Sequence, residues 1–211
     1  YNQEKYIKQA VESVLSQTLL PCELLIIDDC SVDETPSIIL NYSLNHNIIR
    51  ILSNPRNLGI TKTRNIALNE AKGDYITFLD GDDYFLPDKL KEEFTILSEG
   101  NFDFAYSNFN IIQEDGKLIQ AWISNEGTQK NDNLFIRTFS FDFPEGIVFR
   151  GELVKLGKWK EIGFFDENLE IWEDFDMRLR LTKKLKGIHN PNISHVYRRH
   201  REGLSSMKIK L

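Results

Sequence analysis

The sequence predicts an α/β fold, in which helices flank a doubly wound and mostly parallel sheet. Two observations predict it: helical and strand patterns alternate through the first half of the chain, and two clusters of acidic residues each follow an apolar run. In parallel α/β sheets, ligands bind beyond the carboxyl ends of the strands. Because both clusters fall at such ends, we expect a polar site at one edge of the sheet.

The first half of the chain divides into alternating segments. Apolar residues recur at helical spacing from Ile7 to Val14, and Pro21 follows the end of this helix. Thr35-Pro36 has the residue types of a helix start, and Gly73 is typical of a helix end. Short apolar runs and the same helical spacing predict strands at 24–27, 48–52, 75–79 and 102–106, and helices from 35, at 61–72 and from 87 to about 98.

The second half has a different pattern, although the chain length of 211 residues suits a single domain. Its predicted elements are a hairpin formed by 111–112 and 118–122, a polar loop at 124–133, a strand at 147–149, a short helix near 152–156 and a helix from about 171 to 185. At the other end, Tyr1-Asn2 leads almost directly into a helix, with no strand before it.

Composition excludes several classes of protein. The formal net charge of −6 argues against a nucleic-acid binder, which would carry a basic stripe. A strand between Cys22 and Cys30 would hold them too far apart for a disulfide, so we expect free thiols in a reducing compartment. No apolar run approaches the length of a membrane span, and no signal peptide opens the chain. The basic tail at 197–210 is either a solvated end or a segment that lies on an anionic surface.

The acidic run at 80–83 is the most informative motif. Strand-forming residues deliver Asp80, Asp82 and Asp83 into a short loop, and carboxylates this close repel one another unless a cation lies between them. Magnesium and manganese bind through one or two carboxylates and the phosphates of a substrate. The motif therefore predicts a site for a divalent metal and a diphosphate, with a solvated Asp-Gly turn as the alternative.

A third acidic cluster lies at 172–176, in the first turns of the late helix. Apolar residues on two faces of this helix place Asp174 near packed surroundings, where burial would raise its pKa and make it a better general base. Acids in a first helical turn also favour the helix dipole without any chemistry. Arg64 is either a partner for a phosphate or carboxylate or a surface arginine. His200, among Arg198, Arg199 and Arg201, is either a metal or diphosphate contact or neither, and the other histidines carry no local signature.

Motifs of other enzyme classes are absent from the sequence. It has no Gly-x-Ser-x-Gly, no phosphate-binding Gly-x-x-x-x-Gly-Lys, no Gly-x-Gly-x-x-Gly and no zinc-ligand spacing. Hydrolase triads, P-loop nucleotide hydrolysis and Rossmann redox chemistry therefore lose support.

Taken together and in order, the motifs resemble those of the family-2 glycosyltransferases, which have the GT-A fold, invert the anomeric centre and use nucleotide sugars. The resemblance covers nearly the whole chain and is weakest from about 107 to 143. It divides the domain into a nucleotide-sugar-binding half, about 1–106, and a variable acceptor-side half, about 107–211. The residues that carry it are Tyr1-Asn2, Tyr6-Ile7, 13–18, 23–33, Asn57 to Gly59, Arg64-Asn65, 73–76, 78–83, 163–167 and Glu173-Asp174.

The resemblance implies a role for each acidic motif. Nucleotide contacts would come from Asp28, Asp29, Arg64 and Asp80. The divalent metal, Mn²⁺ or Mg²⁺, would be held by Asp82, Asp83 and His200. Asp174 would be the general base, with Glu173 beside it. The donor would be a nucleotide sugar, with UDP favoured, and the acceptor a glycan or glycolipid. We then expect a cytoplasmic protein, with peripheral association at the inner face of the cell membrane as one possibility.

Two departures from the family pattern and three alternatives remain at this point. Family members normally begin with a strand before the Tyr-Asn pair, and Cys30 stands where glycine is usual. The alternatives are an inactive nucleotide-binding domain of the same fold, a haloacid-dehalogenase-like phosphatase, and a sugar-1-phosphate nucleotidyltransferase. The last needs a Gly- and Arg-rich N-terminal loop that this sequence lacks.

Overall fold

The computed structural model describes residues 1–124, 134–169 and 171–201. Its elements follow the predicted alternation through the first half and then become more varied. They are α1 (Ile7–Leu15), β1 (Leu24–Asp28), α2 (Thr35–Asn45), β2 (Ile49–Ser53), α3 (Ile60–Glu70), β3 (Tyr75–Ile76), β4 (Tyr84–Phe85), α4 (Lys89–Glu99), β5 (Phe104–Gln113), β6 (Leu118–Trp122), α5 (Leu134–Phe139), a 3₁₀ turn (Pro144–Gly146), β7 (Leu153–Lys155), α6 (Leu156–Ile162), α7 (Glu173–Lys184) and β8 (Gly187–Arg199).

The strands form two sheets. In the first, β1 pairs in parallel with β2. The second has the order β3-β7-β5-β8-β4, with β6 also paired to β5. Its longest ladder, β5 with β8, is parallel, whereas the shorter ladders of β3, β4, β6 and β7 are antiparallel. The α/β class is confirmed, and the predicted hairpin is β5–β6. Strands β4 and β7, and the antiparallel pairing of β3, were not predicted from the sequence.

Two local predictions were wrong. Residues 147–149 are not a strand, and the helix predicted near 152–156 is strand β7, with α6 beginning only at Leu156. Short apolar runs fit a strand and a helix equally well, and pairing with β3 and β5 decides for the strand here. The basic tail at 197–210 begins within β8, where Arg198 is buried, and His200 just after the strand is buried too. The rest of this tail from 202 on, and the polar loop predicted at 124–133 after Ser124, lie outside the described residues.

The core has one large and several small clusters. The largest lies around β5 and contains fully buried aromatic side chains, among them Phe104, Tyr106 and Trp122. A smaller cluster joins α1 and α2 to the first sheet through Ile7 and Ile39. The half that carries Asp28 and the half that carries Asp174 are therefore packed largely on separate apolar surfaces.

An apolar groove borders the first sheet. It is lined by β1, by the inner face of α1 and by Leu79 and Gly81, with Asp28 and Thr35 at its polar end. The strand that family members normally have before the Tyr-Asn pair stays a prediction.

Cys22 and Cys30 are both free thiols, as predicted. Among the described helices, none combines the length and the hydrophobicity that crossing a bilayer requires.

Candidate active site

The first acidic pair ends strand β1 and shapes the loops that follow. Both oxygens of Asp28 accept hydrogen bonds from Ser31, one from its backbone N–H and one from its hydroxyl. Between them Cys30 has a φ of 65°, a left-handed conformation that favours glycine. This left-handed conformation explains why glycine is usual at position 30. With cysteine there, the hydrogen bonds from Ser31 to Asp28 hold the same turn.

Asp29 holds a second loop. Its buried carboxylate accepts hydrogen bonds of 2.8 Å from Asn54 Nδ2, from the backbone N–H of Leu58 and from that of Gly59. Gly59 caps the N-terminus of α3 and has a φ of 84°. Asp29 thereby orients the helix that carries Arg64.

Arg64 joins the two halves of the chain. Its Nη2 donates to Asp80 Oδ1 at 2.8 Å, and its Nη1 lies 3.2 Å from Glu173 Oε1. Its guanidinium also lies over the ring of Phe165. The sequence left open whether Arg64 pairs with an anion or lies unpaired on the surface. In this structure it pairs with carboxylates of two predicted motifs.

Opposing effects act on the pKa of Asp80. Burial raises it, but the charges of Arg64 and Arg150 outweigh burial, and the pKa falls below its ordinary value. Arg150 Nη2 lies 3.8 Å from Asp80 Oδ2. Asp80 is therefore ionised at neutral pH and is held between two arginines.

The end of β8 holds the rest of the acidic loop. His200 Nε2 lies 2.8 Å from Asp82 Oδ2, and the backbone N–H of Arg198 donates to Asp83 Oδ1 at 2.8 Å. Arg198 Nε also donates to the backbone carbonyl oxygen of Asp82. Burial and the charges of Asp80 and Asp82 raise the pKa of Asp83 well above its ordinary value, although Arg150 opposes this. Asp82 and Asp83 therefore have different environments.

Asp82 and His200 are the pair in this loop that suits a cation. Within the described ranges, no group of three or more His, Cys, Asp and Glu side chains is arranged to hold a metal ion. A carboxylate oxygen and an imidazole nitrogen that face each other still fit a divalent metal that takes its remaining ligands from phosphates. Asp83 instead contacts the backbone of β8.

Glu173 and Asp174 begin helix α7. Burial and the charge of Asp174 raise the pKa of Glu173, and Arg64 opposes this. The expectation for Asp174 was wrong in direction: burial does raise its pKa, but Arg178 outweighs burial and lowers it to about 2. Arg178 Nη1 lies 2.6 Å from Asp174 Oδ2, one helical turn away, while the Asp174 side chain remains 39% exposed.

Four polar residues of the same cleft were not predicted from the sequence. They line it together with Arg64, Asp80, Asp83 and Asp174, and they are Arg150, Glu152, Arg178 and His195. Arg178 Nε lies 3.5 Å from Glu152 Oε1. His195 is buried against the ring of Phe109, and its pKa is well below the ordinary value because of burial. A signal existed for Arg178 alone, because Asp174 and Arg178 have the i,i+4 spacing of a helical ion pair.

Of the predicted site residues, Arg64, Asp80, Asp83 and Asp174 line one cleft. Asp82 and His200 pair with each other and line neither this cleft nor the groove beside β1. Arg64 connects Asp80 with Glu173, and Asp174 lies beside Glu173 at its acidic end. Asp28 borders the groove that also contains Gly81, which adjoins Asp80 and Asp82 in sequence. Asp29 lines neither the cleft nor the groove, and it is hydrogen-bonded to the loop that precedes α3.

Comparison with known proteins identifies the family. The sequence profile of "Glycosyl transferase family 2" matches residues 1–156. The chain belongs to this family. An Escherichia coli relative, "UDP-Glc:alpha-D-GlcNAc-diphosphoundecaprenol beta-1,3-glucosyltransferase WfgD", is 37% identical over 122 residues, which are 56% of this chain and 47% of that protein. The Pasteurella multocida hyaluronan synthase is 30% identical over 212 residues, which cover 99% of this chain and 21% of that protein.

A solved structure confirms the GT-A fold of this glycosyltransferase family member. S. aureus TarS 1-349 in complex with UDP-GlcNAc superposes with a TM-score of 0.81 at 23% identity, covering 99% of this chain and 59% of that chain. The chain spans about half or less of the length of the two curated relatives described here.

Proposed function

We propose that this chain is the catalytic unit of an inverting glycosyltransferase. It would move a sugar from a UDP-linked donor to a hydroxyl group of a glycan or glycolipid acceptor. The observation that carries the proposal is the Arg64 bridge, which links Asp80 of the predicted metal loop to Glu173 of the predicted base motif. The names of the relatives support a nucleotide-sugar donor, and that of WfgD includes a lipid-linked acceptor. An acceptor of that kind would place the protein at the inner face of the cell membrane.

Asp82 and His200 would hold the metal. His200 Nε2 faces Asp82 Oδ2, so the pair offers one imidazole nitrogen and one carboxylate oxygen as metal ligands. When bound, Mn²⁺ or Mg²⁺ would stabilise the negative charge that develops on the departing diphosphate. Asp83 would act indirectly, because it fixes the backbone of β8 beside His200.

Nucleotide recognition would fall to Asp28 and to the groove that it borders. Asp28 lines the groove and its oxygens accept hydrogen bonds from Ser31, whereas Asp29 does not line it and its oxygens accept from three donors of the loop at 54–59. We therefore assign direct contact with the nucleoside to Asp28 and loop support to Asp29. Arg64 and Asp80, as an ion pair, would face the donor between the nucleotide and Asp174.

Asp174 would accept the proton from the acceptor hydroxyl. The resulting alkoxide oxygen attacks the anomeric carbon from the face opposite the nucleotide, and the bond from that carbon to the diphosphate breaks. A pKa of about 2 keeps Asp174 ionised across the physiological range, and its partly exposed side chain is accessible to an acceptor. Oδ1 accepts the N–H of Phe175 and Oδ2 accepts Arg178, so both oxygens are held in a defined orientation.

Asp174→Asn tests the assignment of the base. General-base catalysis contributes about 10²–10⁴-fold, so we expect transfer to fall by about that factor while UDP binding is unchanged. Asp176→Asn is the matched control, because Asp176 lies on the same helix and pairs with Arg180 instead. Release of sugar from a panel of UDP-sugars gives the readout. Unchanged turnover in Asp174→Asn contradicts the base assignment, and UDP binding without any turnover in the parent chain favours an inactive nucleotide-binding domain.

A further inference from the structure

Three aromatic side chains form a cluster at the start of α7, where Trp172 and Phe175 flank Glu173 and Asp174 in sequence. Phe141 stacks on Phe175 with ring centroids 4.5 Å apart and an interplanar angle of 14°. Trp172 meets both rings edge-on, at 6.0 Å from Phe141 and 5.8 Å from Phe175. We call these three residues the aromatic platform.

The aromatic platform is exposed although its rings are large and apolar. Trp172 is 54% exposed and Phe141 37%, whereas Trp122 and Trp159 are almost completely buried. Both exposed residues have a left-handed backbone, with φ of 69° at Trp172 and 55° at Phe141. Bulky residues adopt this conformation rarely, and such strain concentrates at functional sites. An exposed aromatic surface on a strained backbone is therefore unlike ordinary surface residues.

The position of the aromatic platform indicates which substrate it would meet. Trp172 is the N-cap of α7, immediately before Glu173 and Asp174, and the N–H of Phe175 donates to Asp174 Oδ1. The contacts that lead away from Asp174 toward the nucleotide side run through Glu173, Arg64 and Asp80. Trp172 and Phe175 thus flank the Glu173-Asp174 pair in sequence, and the aromatic platform lies outside both the lining of the cleft and that series of contacts toward the donor.

We propose that the aromatic platform binds a pyranose ring of the acceptor and orients its hydroxyl group toward Asp174. The proposal rests on the proposed function and extends it to the acceptor side. The faces of aromatic rings have a negative electrostatic potential and pack against the C–H face of a sugar, while neighbouring carboxylates accept hydrogen bonds from its hydroxyl groups. The rings and the carboxylates of Glu173 and Asp174 together supply both kinds of contact. An aliphatic lipid chain has no hydroxyl groups that could use the carboxylates.

The distribution of tryptophan makes binding directly measurable. Because Trp122 and Trp159 are buried, quenching of tryptophan emission by acrylamide reports mainly on Trp172. We would measure it with UDP and Mn²⁺ present, on adding the methyl pyranosides of glucose, N-acetylglucosamine, galactose and glucuronic acid at high millimolar concentration. At least one pyranoside should lower the quenching constant by about half. Protection by phosphatidylglycerol vesicles with none from any pyranoside would overturn the proposal in favour of a membrane contact, and no protection by either would overturn it as well.

Kinetics then separate acceptor binding from folding. With the phenyl glycoside of the protective pyranose as acceptor, Trp172→Ala should raise the acceptor KM about tenfold, and Trp172→Phe should restore most of the loss. UDP affinity should stay unchanged in both variants. Phe139→Ala is the matched control, because Phe139 is 64% exposed and lies outside the aromatic platform. An unchanged KM, or a parallel loss of UDP affinity, would overturn the proposal. If the parent chain neither binds UDP nor releases sugar, the proposed function has failed, while protection of Trp172 can still be measured.

Discussion

Arg178 and Asp174 form an ion pair of 2.6 Å across one turn of helix α7, and this contact sets the charge state of the proposed base. Burial alone would raise the pKa of Asp174, but Arg178 outweighs it, and the pKa is about 2. The carboxylate is therefore permanently charged at neutral pH, and its basicity depends on a neighbour that can be replaced.

Replacing Arg178 should move the pH profile of the enzyme. Arg178→Gln removes the cation that stabilises the charged form, so the pKa of Asp174 should rise by about 1–3 units. Activity is lost when the base is protonated, and the acidic limb of kcat against pH should shift upward by that amount. Arg180→Gln is the control, because Arg180 pairs with Asp176. Identical acidic limbs in both variants and the parent would contradict the role of Arg178.

The same pair should contribute to acid stability. A carboxyl group whose pKa is lowered from 3.8 to about 2 stabilises the fold above pH 3.8, and this contribution disappears as the pH falls through 2. Arg178→Gln should therefore cost more stability at pH 7 than at pH 2. Urea denaturation at both pH values provides the measurement, and a loss that grows toward low pH would contradict the assignment.

Asp29 should matter more for stability than Asp28. Asp29→Ala leaves the buried Asn54 amide and two partly buried backbone donors without their acceptor, which we expect to cost about 1–3 kcal/mol. Asp28→Ala affects contacts with Ser31 alone, so its loss of stability should be smaller and its loss of UDP affinity larger. Denaturant midpoints and calorimetry distinguish the two. Equal destabilisation by the two variants would contradict the separation of loop support from ligand contact.

Lys89 and Glu93 form a fully buried ion pair of 2.8 Å within helix α4. Lys89 also donates to Thr77, and Ser107 donates to Glu93. Lys89→Met should cost about 3–5 kcal/mol, because it leaves a buried charge without its partner. The double variant Lys89→Met with Glu93→Gln should regain part of that loss, since Gln is neutral and retains an acceptor for Ser107. Denaturant unfolding measures both, and a double variant less stable than Lys89→Met would contradict this explanation.

The sequence predicted the part of the fold that depends on local patterns. The helices through Glu99 and strands β1, β2 and β5 follow from helical spacing and from continuous apolar runs. Strand β8 could not be predicted in this way, because its buried end is polar. Arg198 and His200 are buried by contacts with Asp82 and Asp83, which are more than a hundred residues away in sequence. Long-range pairing of this kind leaves no periodic signal.

The candidate site shows the same limit at the level of single residues. The acidic motifs were visible as clusters, whereas Glu152 and His195 belong to no motif and reach the cleft only through β7, β8 and their neighbours. The pKa of Asp174 was predictable in principle, because the i,i+4 spacing to Arg178 is present in the sequence. The predicted direction of the pKa shift was wrong because burial of Asp174 was considered without its ion pair with Arg178.

Metal-dependent binding of a nucleotide is the most direct test of the central claim. We would titrate UDP, GDP, dTDP and CMP into the chain by calorimetry with Mn²⁺, with EDTA, and in Asp82→Ala, using Asp115→Ala as the control on an exposed turn. The account predicts that UDP binds in the presence of Mn²⁺ and weakens at least about tenfold with EDTA and in Asp82→Ala, but not in Asp115→Ala. Binding of none of the four nucleotides, or binding that is indifferent to both the metal and Asp82, would contradict it.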